Sequence, residues 1–208
     1  MGLKRNADAA ALHEVEPRAY PRDMPGLVAQ LRDPDAGVRR WAARDLAAHA
    51  DAAAAICARL VEETDASVRA VLFSTAATMG GGEIARGLLP LLRSEDAALR
   101  NGAIEVLAGL PQAVAPHIEA LLHDGDSDVR IFTVNLLTDL RHPRVPQWLA
   151  QVIAQDPQVN VVGAALEVLA EVGAPQALPA LRAVKERFPD DDYIAFAADL
   201  AIARIESA

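Results

Sequence analysis

The chain has 208 residues, 52% of them hydrophobic but only 4% aromatic, and a formal net charge of −9. That acid excess disfavours general binding to nucleic acid or anionic membrane, and the single cysteine, Cys57, excludes an intrachain disulfide. Abundant alanine with few aromatics favours close-packed helices over strands, in a chain long enough for one domain or one repeat array.

In chain order, residues 1–23 come first. They lack the apolar core of a signal peptide, and "MGLKRN" has Asn6 where N-myristoylation wants Ser or Thr. "PRAYPRDMP" reads as an extended connector, and the segment either caps the array that follows or stays partly disordered. No apolar run is long enough to span a membrane, so a cytoplasmic protein is expected.

From residue 24 a unit recurs. "DAGVR" (35–39), "DASVR" (65–69), "DAALR" (96–100) and "DSDVR" (126–130) each place an acid three residues before an aliphatic and an arginine directly after it. Steps of four from the aliphatic keep one apolar stripe: Val38, Ala42, Leu46; Val68, Leu72, Ala76; Leu99, Ala103, Leu107; Val129, Thr133, Leu137. The stripe returns as Val161, Ala165, Leu169 and as Ile194, Ala198, Ile202, with units 30 to 33 residues apart. Such spacing puts the side chains on the inward face of a helix.

A second apolar pattern precedes each stripe: Leu27/Leu31, Ile56/Leu60, Leu88/Leu91, Ile118/Leu121, Leu149/Val152 and Leu178/Leu181. Each unit is therefore a helical hairpin, near 24–50, 51–80, 81–111, 112–142, 143–173 and 174–208. Asp35, Asp65, Asp96 and Asp126 stand where an N-cap accepts from unpaired backbone amides, a contribution of about 1 kcal/mol. Arg39, Arg69, Arg100 and Arg130 can reach their own cap or the next unit's acid, as a ladder that fixes register. Val162 and Ala195 take the arginine position in units five and six, so the ladder should stop after unit four.

Units near thirty residues carrying D-x-x-V-R, with Ala or Leu four and eight positions on, resemble HEAT repeats. More narrowly, they are similar to the short bacterial HEAT repeats first associated with phycobilisome lyases. The resemblance spans about 24–206 and implies an all-α, right-handed α-solenoid whose second helices line a concave face. It also implies an interaction platform, or alternatively a bilin-lyase-like or chaperone-like protein holding a small ligand in the groove. In that alternative, Arg40 and Arg44 would face the propionates of a tetrapyrrole.

No catalytic constellation stands out, and neither a catalytic, a cofactor-binding nor a metal-binding residue is expected. The five histidines never pair at ligand spacing; His117 and His123 are six apart, and the His-Glu pairs of HEAT-like hydroxylases reduce here to His13–Glu14. "DGDSD" at 124–128 begins like a calcium loop, but its twelfth position is Asn135 and not glutamate. Gly80–Gly82 lack the strand and lysine of a phosphate loop and read as a hinge. The arginines look committed to turns, so the basic groove of a helical-repeat DNA glycosylase is missing. Cys57, within "AAAAICARL", is expected to be buried and inert.

Two surfaces remain as candidates for a partner protein. Positions two and six after each inward aliphatic should face outward from the second helices: Arg40 and Arg44, Ser74, Asn101 and Glu105, Asn135 with Asp139 beyond it, and Glu167 with Glu171 beyond it. Trp41 would lie at the edge of that track. Along the track the residues run from basic, through small and polar, to acidic, and the acid excess lies mostly in the second half: residues 1–104 carry 13 Lys+Arg against 14 Asp+Glu and residues 105–208 carry 7 against 15. The second surface is the last helix, where Tyr193, Phe196 and Leu200 cannot all pack on one preceding unit and offer a contact to a partner or a second copy.

Overall fold

The computed structural model describes residues 21–207. Most of the expected N-terminal cap (1–20, with His13) lies outside them. The described residues form an all-α array of twelve helices in six hairpins. The first helices are α1 (Met24–Gln30), α3 (Ala53–Glu62), α5 (Gly81–Leu88), α7 (Pro111–Leu122), α9 (Val145–Gln155) and α11 (Leu178–Arg187). The second helices are α2 (Ala36–Asp45), α4 (Ala66–Met79), α6 (Ala97–Ala108), α8 (Ser127–Asp139), α10 (Val159–Val172) and α12 (Asp192–Ser207). Each second helix packs on its own first helix and on the second helices of adjacent units, which makes one row of second helices along the array. No helix among the described residues is long and apolar enough to cross a membrane.

The core follows the two apolar stripes. Leu72, Leu107, Leu137, Leu169 and Ala198 are fully buried, as are Leu27, Ile56, Leu88, Ile118 and Leu149 on the facing helices. Val38 and Ile202, at the two ends of the array, are only half-buried. In α7 the inward series is Val114, Ile118, Leu122, so Leu122 and not Leu121 is buried. The step of four holds there and the step of three does not.

The turns explain the motif. Asp65 accepts from Ser67 N at 2.8 Å and Val68 N at 3.1 Å, and Asp35 and Asp96 repeat that pair of bonds; Asp126 accepts from Asp128 N. The arginine contact common to all four motifs is a backbone one. Arg39, Arg69, Arg100 and Arg130 each donate to the carbonyl six residues upstream, on Asp33, Glu63, Ser94 and Asp124, at 2.6–2.9 Å. The side chain of that same upstream residue accepts from the amide of the cap, as in Asp65 N to Glu63 at 2.9 Å. One arginine and one short polar side chain thus tie the whole turn.

The arginines then reach forward. Arg39 bonds Glu63, Arg69 bonds Asp96 and Arg130 bonds Asp156, each in the following unit. Arg100 breaks the series: Asp124 in unit four is taken by Arg93, and the Arg100 guanidinium stacks 4.2 Å from the Phe132 ring. Val162 and Ala195 supply no such contact, yet unit six is tied by another route. Arg187 reaches back to the carbonyls of Ile153 and Asp156.

Three sequence readings are sharpened here. Gly80 (φ 60°) and Gly81 (φ 82°) form a one-residue connection between α4 and α5, so the glycines make a tight corner with backbone angles that favour glycine. Gly173 (φ 63°) closes α10 in the same way. Two of the three acids of "DGDSD" are spent in the turn, with Asp124 accepting from Asp126 N and pairing with Arg93, and Asp126 accepting from Asp128 N. Cys57 is buried against Gly87, and burial pushes its thiol above the usual range.

Candidate functional site

Three depressions run end to end along the row of second helices. The first, between α2 and α4, is lined by Arg44, Ala47, Ala70, Val71, Ser74, Thr75 and Thr78. The second, of about 560 Å³ between α4 and α6, shares Ala70 and Ser74 with it and adds Phe73, Ala77, Gly102, Glu105, Val106, Gly109 and Leu110. The third, of about 500 Å³, shares Glu105 and Gly109 and extends to Asn101, Ile104, Ala108, Pro111, Asp139 and Arg141. Neighbouring depressions share the helix that divides them, and together they make a stepped groove across the second helices from unit one to unit four.

The sequence-derived track lies on this face. Arg40, Arg44, Ser74, Asn101, Glu105, Asn135, Asp139, Glu167 and Glu171 are all exposed. Arg44, Ser74, Asn101, Glu105 and Asp139 line the groove itself. Glu167 and Glu171 stand on α10, beyond its far end. At the near end Trp41 is 54% exposed, and the Arg44 guanidinium sits 5.0 Å over its ring, while Arg40 donates to Ser67 Oγ across to the next unit.

Glycine shapes the second depression where Phe73 meets α6. A Cβ on Gly102 would collide with the Phe73 ring, so glycine in the interior of α6 lets that ring lie across the helix. A glycine inside an apolar helical pattern is the sequence signal that could have marked this spot. Phe73, Ala77, Leu110 and Arg141 line the groove and are absent from the sequence-derived track.

The charges on this face are not consumed by ion pairs. Those found among the described residues lie at the turns, within first helices, or between first and second helices, and none includes Arg40, Arg44, Glu105, Asp139, Glu167 or Glu171. The ladder residues Asp35, Arg39, Asp65, Arg69, Asp96, Arg100, Asp126 and Arg130 sit at the turns, away from the groove lining.

The terminal helix is less separate than its sequence implies. Phe196 and Leu200 are 66% and 40% exposed. Tyr193 is 49% exposed and at the same time lays one edge of its ring on α10: a Cβ on Gly163 would lie 2.9 Å from Tyr193 Cε1, and the Tyr193 hydroxyl donates to Glu167. That bond, then burial, then the charges of Glu167 and Asp191 push the phenol up to about 12.

A further niche of about 330 Å³ opens at the turn of units four and five, lined by His123, Asp124, Arg130, Gln155 and Asp156 among others. Arg130 is spent there on Asp156 and on the Asp124 carbonyl. Among the described residues no group of three or more His, Cys, Asp or Glu could hold a metal ion.

Residues 114–203 match a family model described as HEAT repeats. No curated protein matches the sequence. Among solved structures, human deoxyhypusine hydroxylase in complex with glycerol is similar at 19% identity and a TM-score of 0.47, covering 90% of this chain and 76% of that one. A designed armadillo repeat protein in complex with the peptide (KR)4 gives 17%, 0.44, and 88% and 99%. The complex of CpcE and CpcF of phycocyanin lyase from Nostoc sp. PCC7120 gives 19%, 0.37, and 92% and 97%.

Proposed function

We propose that this chain, whose residues 114–203 match a model described as HEAT repeats and whose hairpins recur along its length, is a non-enzymatic platform that binds a partner protein through its row of second helices. The observation that carries this reading is the row of depressions from Arg44 to Asp139, whose wall charges form no ion pair among the described residues. Side chains left solvated on a groove floored by small residues are available for recognition. The acids and arginines of the turns, by contrast, have structural duties and are poor candidates for partner contacts.

The test compares wild type with an Arg44→Glu/Glu105→Lys/Glu167→Lys variant in affinity capture from native extract, read by mass spectrometry. A partner kept by wild type and lost by the variant supports the groove. A partner kept equally by both overturns it. Mixing the purified protein with a bilin and recording visible absorbance separates the small-ligand alternative, which requires a spectral shift lost on Arg40→Glu/Arg44→Glu.

A further inference from the structure

The groove and the terminal helix share one register. Counting two and six past the inward aliphatic gives Arg40 and Arg44 in unit one, Gly163 and Glu167 in unit five, and Phe196 and Leu200 in unit six. The Tyr193 ring on Gly163 and its hydroxyl on Glu167 join α12 to α10 on that side. The face is therefore continuous, and its chemistry changes along its length. It begins with two arginines, passes over small residues, becomes acidic, and ends in two exposed apolar side chains.

On the binding-platform reading, we propose that this face takes one extended peptide segment of a partner in a fixed lengthwise order. Acidic residues lie against Arg40 and Arg44, basic residues against Glu167 and Glu171, and an apolar side chain rests on Phe196 and Leu200. Charge complementarity sets the order, because the reverse placement puts like charges together at both ends. Geometry sets the length. Helices pack roughly 8–10 Å apart, so five steps from α2 to α12 span about 40–50 Å. An extended chain advances about 3.3 Å per residue, which gives a segment of roughly 12–15 residues. A helix would need about twice that number at 1.5 Å per residue. The small residues Ala70, Ser74, Ala77 and Gly109 on its floor favour the close approach of an extended backbone.

The experiment uses the full chain and fluorescein-labelled synthetic peptides of about fifteen residues. One has an Asp/Glu block, a Gly/Ser centre, a Lys/Arg block and a terminal Trp-Leu, and a second has the same order in the opposite chain direction. A third exchanges the acidic and basic blocks. Fluorescence anisotropy should show one ordered peptide binding about tenfold tighter than the block-exchanged one. Phe196→Ser/Leu200→Ser, exposed sites that leave the core intact, should reduce that binding without lowering the melting temperature. Equal binding of ordered and exchanged peptides overturns the lengthwise order; the platform reading survives if Arg44→Glu/Glu105→Lys/Glu167→Lys weakens both. No binding by any peptide at about 1 mM, with a captured partner still lost by that triple variant, overturns the peptide class alone. No peptide binding and no variant-sensitive partner defeats both readings.

Discussion

Arg39 grips Glu63 across the boundary between the first two units, through Nε at 2.8 Å and Nη2 at 3.0 Å. Arg59 holds the same carboxylate from α3, and the Asp65 amide donates to it as well. The Glu63 side chain is fully buried. One acid therefore joins two arginines and a turn.

Burial alone would raise the Glu63 carboxyl, but the bonds from Arg39, the Asp65 amide and Arg59 outweigh it and hold it at about 2, against 4.5 for an unperturbed glutamate. Between those values the unfolded chain binds the extra proton. The stabilisation, about 3 kcal/mol, is complete above about pH 4.5 and is lost as pH falls toward 2. Glu63→Gln should cost about 3 kcal/mol at neutral pH by taking the buried charge partner from Arg39 and leaving Arg59 only the more distant, exposed Glu62. Urea titrations from pH 7 to pH 3 should show the gap to wild type narrowing as acid is added; a constant gap would contradict the assignment.

Phe73 and Gly102 should couple. Gly102→Ala forces the ring aside and should destabilise by about 1–2 kcal/mol. In a Phe73→Ala background the same change should stabilise by up to about 1 kcal/mol, because alanine is the better helix former. A double-mutant cycle in chemical denaturation reads the change of sign directly.

The α10 cap is a gap in the series. Gln158 has the extended geometry of the aspartate caps (φ −91°, ψ 120°) but its side chain bonds no amide. Gln158→Asp or Gln158→Ser should raise stability by about 1 kcal/mol, seen as a higher urea midpoint with unchanged slope. No gain from either would mean that the cap amides of α10 are already satisfied.

Tyr193 reports on the junction of α10 and α12. Its phenol should titrate at about 12 in absorbance at alkaline pH, and Glu167→Gln should bring it down toward 10, because the ionised tyrosine no longer meets a carboxylate. An unchanged titration would separate Tyr193 from Glu167.

Much of the fold was legible because the repeat period, the two apolar stripes and the aspartate caps are local patterns that packing does not override. Exposure of Arg40, Arg44 and Glu105 followed from the same count. What escaped was contact without a sequence signature. The arginine of each motif seeks a carbonyl, and every residue has one. Phe73 and Gly102, or Tyr193 and Gly163, meet across helices in adjacent units, so neither spacing nor composition pairs them. Leu122 replaced Leu121 because the helix keeps to steps of four where a step of three looked equally apolar.

The forward reach of the arginines has a consequence for how the array is assembled. As the chain leaves the ribosome from its N-terminal end, Arg39, Arg69 and Arg130 each appear before the acid they grip. Units one, two and four therefore wait for their successors to latch them, and while each waits the growing array is open by one unit. The sixth hairpin is tied in the other direction: Ala195 stands in the arginine position, and Arg187 turns back to unit five, which has already been made.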